Sequence, residues 1–289
     1  MVGQARQTFE RRQLGMTLRR LRDEAGKTQQ DAADVLGKVR SRVVSLEDGS
    51  ATATPEDLSA LLDCYQVAGE ERETLLALAA QARKRTKRRT HVDVLPNAYR
   101  RFADLEASSA EINCYESGLI PGLLQSPGYV RAVHAECEGI WWRKKDAERE
   151  DRLAFRTQRQ AKVFEQAERR MLRFVITEDA LHANMGEPEV MREQLAHLLG
   201  LIGEHRDLTV RILGNDVFGN PARGNSLLIF CFGERGAPIG YSAAALGPST
   251  YYDHEKDTAA MLRAFYRVWE LALSRKESRR LIERILEAT

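Results

Sequence analysis

A chain of 289 residues, 43% hydrophobic and 30% charged, has the material for two packed domains and the composition of a globular rather than a disordered protein. No run of 18 apolar residues occurs and the first fifteen residues lack the apolar stretch of a secretory leader. No membrane span is therefore expected, and a cytoplasmic protein is, with Cys64, Cys114, Cys137 and Cys231 as scattered reduced thiols.

The formal net charge of +2 conceals an asymmetry. Residues 1–90 carry 17 Lys/Arg against 13 Asp/Glu, and the remainder 27 against 29. An excess of positive charge at one end is what contact with phosphates through that end alone would produce.

In chain order, Leu14, Leu18 and Leu21 form one apolar stripe of a first helix, Phe9–Ala25, which Gly26 ends. Thr28 caps a second helix, Gln29–Leu36, with Ala32, Ala33 and Leu36 inward. Gly37 supplies a turn, and Val39–Asp48 forms a third helix. Val43 and Leu46 lie on one face of it, Arg40, Ser41, Arg42 and Ser45 on another, and Gly49 follows as the left-handed cap. Two short helices joined by a tight turn, the second presenting arginines in its first turn, have the form of a reader of the DNA major groove. Arg40 and Arg42 could grip a guanine edge in bidentate fashion or hold phosphates. Thr54-Pro55-Glu56-Asp57 opens a fourth helix, and Glu70–Arg85 forms a fifth. Six cations then fall within Arg83–Arg89, either a basic arm along DNA or a solvated hinge.

The texture changes after Leu95. Helices are expected over Asn97–Ser109, from Ser126-Pro127 to Cys137, and over Trp141–Gln166, Glu187–Gly203, Asp257–Ser274 and Lys276–Glu287. Glu111–Tyr115, Leu172–Thr177, Leu208–Leu213, Ser226–Phe232 and Ile239–Ser242 read as strands. Such intermixing argues an α/β or α+β domain around one sheet. Trp141-Trp142 could be core, a partner anchor or a pocket wall. The fold class is thus multidomain: an all-α five-helix domain over 1–82, a basic linker over 83–95, and a larger mixed α/β domain over 96–289.

No catalytic or metal constellation stands out. His254-Glu255-Lys256 would need an Asp where Met261 stands, and His134-x-x-Cys137 lacks a second ligand pair. Adjacent Glu178 and Asp179 would diverge by about 100° on a helix. No glycine-rich phosphate loop follows a strand, so neither enzyme chemistry nor a cofactor is expected.

Leu14-Gly15-x-x-Leu18-Arg19-x-Leu21-Arg22, Thr28-Gln29, Leu36-Gly37 and Leu46-Glu47-x-Gly49 resemble the Cro/C1 (xenobiotic-response-element) class of helix-turn-helix domains, from Leu14 to about Leu78. That resemblance implies a DNA-contacting surface of Thr28, Gln29, Lys38, Arg40, Ser41, Arg42 and Ser45, with Gln29 on a phosphate or outer base. It also implies an Arg22–Glu47 pair locking the first helix to the third. Where the class places a capping Ser, this chain has Val39.

Pro121-Gly122-Leu123-Leu124-Gln125, Arg156-x-x-Arg159-Gln160, Ile176-x-Glu178-x-x-Leu181, Met191-Arg192-x-Gln194-Leu195-x-x-Leu198 and Ala272-Leu273-Ser274-x-x-Glu277-Ser278 occur in that order. Together they resemble the second domain of WhiJ-like actinobacterial regulators, sometimes described as antitoxin-like. The resemblance implies a dimeric transcription regulator, a repressor acting in development or on its own operon. A small partner protein of the BldB type would control it through the second domain. An antitoxin-like sequestering protein and a small-molecule-gated regulator are the alternatives.

Overall fold

Side-chain caps set the starts of five helices. Thr8, Thr28, Thr54, Ser126 and Ser274 each accept the backbone N–H three residues on, an arrangement worth about 1 kcal/mol per helix. The computed structural model describes residues 7–83, 90–140, 146–165, 169–244 and 248–289. Lys84–Arg89 of the basic run and Trp141-Trp142 lie outside the described residues.

The chain begins with α1 (Phe9–Glu24), α2 (Gln29–Leu36), α3 (Arg40–Glu47), α4 (Pro55–Cys64) and α5 (Gly69–Arg83). After β1 (Thr90–Val92) come α6 (Ala98–Ser108), β2 (Glu111–Glu116), α7 (Pro127–Cys137) and α8 (Asp146–Phe164). Then follow β3 (Met171–Thr177), α9 (Pro188–Glu204), β4 (Leu208–Leu213) and β5 (Leu227–Cys231). The chain closes with β6 (Ile239–Ser242), β7 (Thr250–Tyr252), α10 (Glu255–Leu271) and α11 (Arg275–Ala288). An N-terminal helical region therefore precedes one that mixes strands and helices. No described helix is long and apolar enough to cross a membrane.

Two strands are not anticipated by the sequence. Thr90–Val92, within the stretch read as linker, pairs antiparallel with Thr250–Tyr252. Three residues are too few for a period-two pattern to register.

The chain packs as two compact units, each assembled from two segments: Met1–Ser109 with Phe232–Asp257, and Ala110–Cys231 with Thr258–Thr289. In the first unit, α1–α5 close over Leu18, Ala32, Val43, Leu46, Leu58, Leu62 and Leu75. Beside this core the strands run β1-β7-β6, all antiparallel, with His91 opposite Tyr251 and Tyr241 opposite Tyr251 on its other edge.

A belt of polar and aromatic contacts ties α1 to that sheet and to α6. Phe9 stacks on His91 at 5.0 Å and packs tilted against Tyr251 at 4.6 Å between ring centroids. His91 Nδ1 lies 2.7 Å from Glu10 Oε1 and Nε2 2.9 Å from Asp253 Oδ1. Burial alone would lower the imidazole pKa, but the hydrogen bonds to Asp253 and Glu10 outweigh it and raise the value to about 9. Gln13 Nε2 donates to Asp93 Oδ2 (2.9 Å), itself gripped in bidentate fashion by Arg101, and Thr17 Oγ1 donates to Asp104 Oδ2 (2.9 Å). The Arg12 guanidinium sits 4.1 Å over the Phe232 ring and donates to the Ala237 carbonyl (2.5 Å), while burial brings its pKa down to about 10.

In the second unit the strand order is β5-β2-β3-β4. Strands β2, β3 and β4 are parallel and β5 antiparallel to β2. Phe174, Val175 and Ile176 are each at most 1% exposed, the continuous burial expected of a central strand covered on both faces. Tyr115, Val175 and Ile229 pack with Phe265 and Val268 of α10. The signature stretch Pro121–Gln125 is held by glutamines. Gln194 accepts from Ser126 N (2.7 Å) and donates to Leu124 O (2.8 Å). Gln160 donates to Gly122 O (3.1 Å) and Gln125 O (2.8 Å). A buried irregular segment needs its backbone satisfied by side chains, which accounts for glutamines at these positions.

Candidate nucleic-acid interface

Thr28 and Asp31 form a reciprocal capping box at the start of α2. Gly37, at φ +61°, turns the chain in a conformation that disfavours side chains, and α3 begins three residues later. Val39 occupies the N-cap of α3 without any side-chain bond and is 71% exposed. Around it Lys38, Arg40 and Ser41 are exposed, while Val43 and Leu46 turn into the core.

The docking of α3 against α1 leaves no room for side chains at two points. A Cβ on Gly15 would stand 2.4 Å from the Glu47 carbonyl oxygen, and one on Gly49 would stand 2.7 Å from the Arg12 Cα. This close approach places Arg22 against Glu47, both buried, with Nε–Oε1 at 2.6 Å and Nη2–Oε2 at 3.1 Å. The pair that the resemblance implied is thus present. The Glu47 hydrogen bond holds the Arg22 guanidinium above its ordinary pKa.

The seven residues expected to meet DNA divide by what they touch. Thr28 caps α2, and its hydroxyl also lies 2.8 Å from Asp31 Oδ2. Lys38 Nζ is bound to both Asp57 oxygens at 2.5 and 2.7 Å. Arg42 Nη2 donates to the Thr52 carbonyl at 2.8 Å, and Ser45 Oγ bonds back to the Ser41 carbonyl at 2.9 Å. Gln29 stands between two helices. Its Nε2 donates to Glu47 Oε2 (2.9 Å), and its Oε1 accepts from Arg40 Nε (3.2 Å) and Nη2 (3.1 Å). Sequence reading did not anticipate Asp57, Thr52 or Glu47 as partners of Lys38, Arg42 and Gln29. The partners lie 19, 10 and 18 residues away, beyond any local pattern.

Among the described residues no three His, Cys, Asp or Glu side chains gather as metal ligands. Burial pushes the Cys231 thiol up to about 11, away from nucleophilic use.

A capped helix, a left-handed glycine and a second helix with an exposed first turn make the N-terminal region a helix-turn-helix domain. Residues 13–75 accordingly match the family described as "Helix-turn-helix domain". Residues 99–284, well over half the chain, match "Domain of unknown function (DUF5753)", and the chain belongs to that family. No curated protein matches. A matching solved structure is titled "Structure of TrmBL2, an archaeal chromatin protein, shows a novel mode of DNA binding", with TM-score 0.33 and 14% identity over 76% of this chain. The match covers 66% of that chain, just under two thirds of its length. At that distance the likeness says nothing further about this protein.

Proposed function

We propose that the protein is a sequence-specific DNA-binding transcription regulator without catalytic activity, with Thr28, Gln29, Lys38, Arg40, Ser41, Arg42 and Ser45 forming the DNA surface. The observation that carries this reading is the exposed start of α3, where Lys38, Val39, Arg40 and Ser41 stand together on a helix-turn-helix frame. Residues 1–82 act as the DNA-binding part, 83–95 as a basic connector and 96–289 as the controlling part. This functional division differs from that into compact units, because α1 also packs on 90–109 and 232–257.

The regulator works as a cytoplasmic homodimer, a repressor whose DNA occupancy a small protein of the BldB type controls through the second domain. What supports a protein partner is Phe218, 94% exposed on a loop that Arg223 pins through the Asn215 and Val217 carbonyls. An ordered, solvent-facing aromatic is the kind of anchor that partners bury. A small-molecule effector is the second reading. It has a cleft of about 220 Å³ where Arg169, Arg170 and Arg206 stand with Glu204 and Asp207, a mixed polar lining. That volume falls below the usual range of about 300–1,000 Å³ for ligand sites, so the protein partner is preferred.

In vitro selection from random duplexes with the full chain tests the first claim. Enrichment of one motif is expected, with the salt slope of binding reduced by about 1 for each phosphate-contacting Lys or Arg removed. Failure to enrich any motif refutes the reading. Phe218→Ser then tests partner control: it should abolish the partner's effect on DNA binding and leave operator affinity unchanged.

A further inference from the structure

Two hydrogen bonds join Arg40 to Gln29, and they decide what Arg40 can do. This inference rests on the DNA-binding reading above. The bonds form a relay: Arg22 grips Glu47, Glu47 accepts from the Gln29 amide, and Gln29 Oε1 accepts from Arg40 Nε and Nη2. The two ends of the Gln29 amide are fixed by charge. Its NH₂ must face the Glu47 carboxylate and its oxygen the Arg40 guanidinium, because the flipped amide would set oxygen against carboxylate and donors against donors.

A guanidinium has two usable forks, one side-on through Nε and Nη2, the other end-on through Nη1 and Nη2. The relay occupies the side-on fork. The end-on edge, Nη1 together with the second hydrogen of Nη2, has no bond to any other described residue and belongs to an exposed side chain in the first turn of α3. Two parallel N–H donors at that edge match O6 and N7 of guanine.

We propose that Arg40 is the guanine reader and that Gln29 is its positioning residue, not a phosphate contact. The relay begins at a buried ion pair, so the rotamer entropy of a long exposed side chain is lost at folding rather than at binding. A phosphate contact, which needs only charge at about the right place, would gain nothing from such ordering. Arg42 is different. Its Nη2 is held by the Thr52 carbonyl beside the start of α4, so it is tied to the turn after α3 and not to the relay from Arg22 and Glu47.

The test uses the full chain on its selected operator, with each guanine replaced singly by 7-deazaguanine, which lacks N7. For the unmodified protein one guanine per half-site should show a penalty, at the lower end of the roughly 5- to 150-fold that a full bidentate pair carries. Arg40→Ala should bind the guanine and 7-deazaguanine operators alike, whereas Arg42→Ala should keep the penalty. Gln29→Met, which keeps side-chain length and removes the acceptor, should shrink the penalty at that guanine and leave the salt slope unchanged. Melting of each variant confirms that it is folded. If Gln29→Met weakens both operators equally, Gln29 is a backbone contact and the relay is overturned. A penalty that survives in Arg40→Ala overturns the assignment of the reader. Failure of the full chain to select any motif instead refutes the DNA-binding reading itself.

Discussion

The Arg22–Glu47 pair is worth little as a net attraction and much as a constraint. Two charges taken from water recover their desolvation only when matched, so removing one leaves the other costly. Glu47→Ala should destabilise the first unit by about 3–5 kcal/mol. The double variant Arg22→Met/Glu47→Leu should lose far less, as denaturant unfolding would measure; additive losses would mean the two side chains are uncoupled. His91 makes a pH-dependent contribution of the opposite kind to a carboxylate. Its folded pKa, about 9, lies above the ordinary 6.5, so the folded state keeps a proton that the unfolded chain releases. That stabilisation is complete below about pH 6.5, declines as pH rises towards 9 and is absent above it. His91→Phe should flatten the fall in melting temperature between those values, provided that Glu10 and Asp253 are changed to Gln and Asn alongside it.

At the scale of elements, α3 starts without a side-chain cap. Val39 offers its N-terminus no acceptor, where Thr28 and Thr54 serve α2 and α4. Val39→Ser should therefore raise stability by about 1 kcal/mol, and thermal melting that shows no gain would indicate that the Val39 methyls already contribute as much. The stretch from Ile120 to Pro127 depends instead on borrowed partners. Gln194 is fully buried, and Gln194→Leu would orphan the Ser126 N–H and the Leu124 carbonyl. At about 1–3 kcal/mol for each orphaned group, a clear loss of stability is expected. Wild-type-like unfolding of that variant would show the glutamine to be dispensable.

On the scale of whole units, α1 serves two structures at once. One face closes the helical core through Leu14, Leu18 and Leu21. Another, through Phe9, Gln13 and Thr17, closes on β1, β7 and α6. Phe9→Ala should cost about 3–5 kcal/mol. Operator affinity measured well below the melting temperature should stay unchanged, because the α3 surface is untouched; a lost affinity with intact folding would mean that the belt around α1 also sets the reading surface.

The helix-turn-helix was legible because its signals are local. Caps, a turn glycine and three- and four-residue apolar spacings act within one or two turns, and the bounds expected for α2 match those observed. Longer strands such as β3 and β4 were legible for the same reason, as continuous apolar runs. Strands β1 and β7 were not, being three residues each and defined only by one another. Nor were the partners that fix the site and its surroundings. Gln29 with Glu47, Gln13 with Asp93 and His91 with Asp253 are 18, 80 and 162 residues apart. Sequence by itself determined which residues could present a basic reading helix. Tertiary structure alone decided which arginine is held by Gln29 and which by the Thr52 carbonyl, because hydrogen-bond partners are allotted only when the chain closes and water leaves.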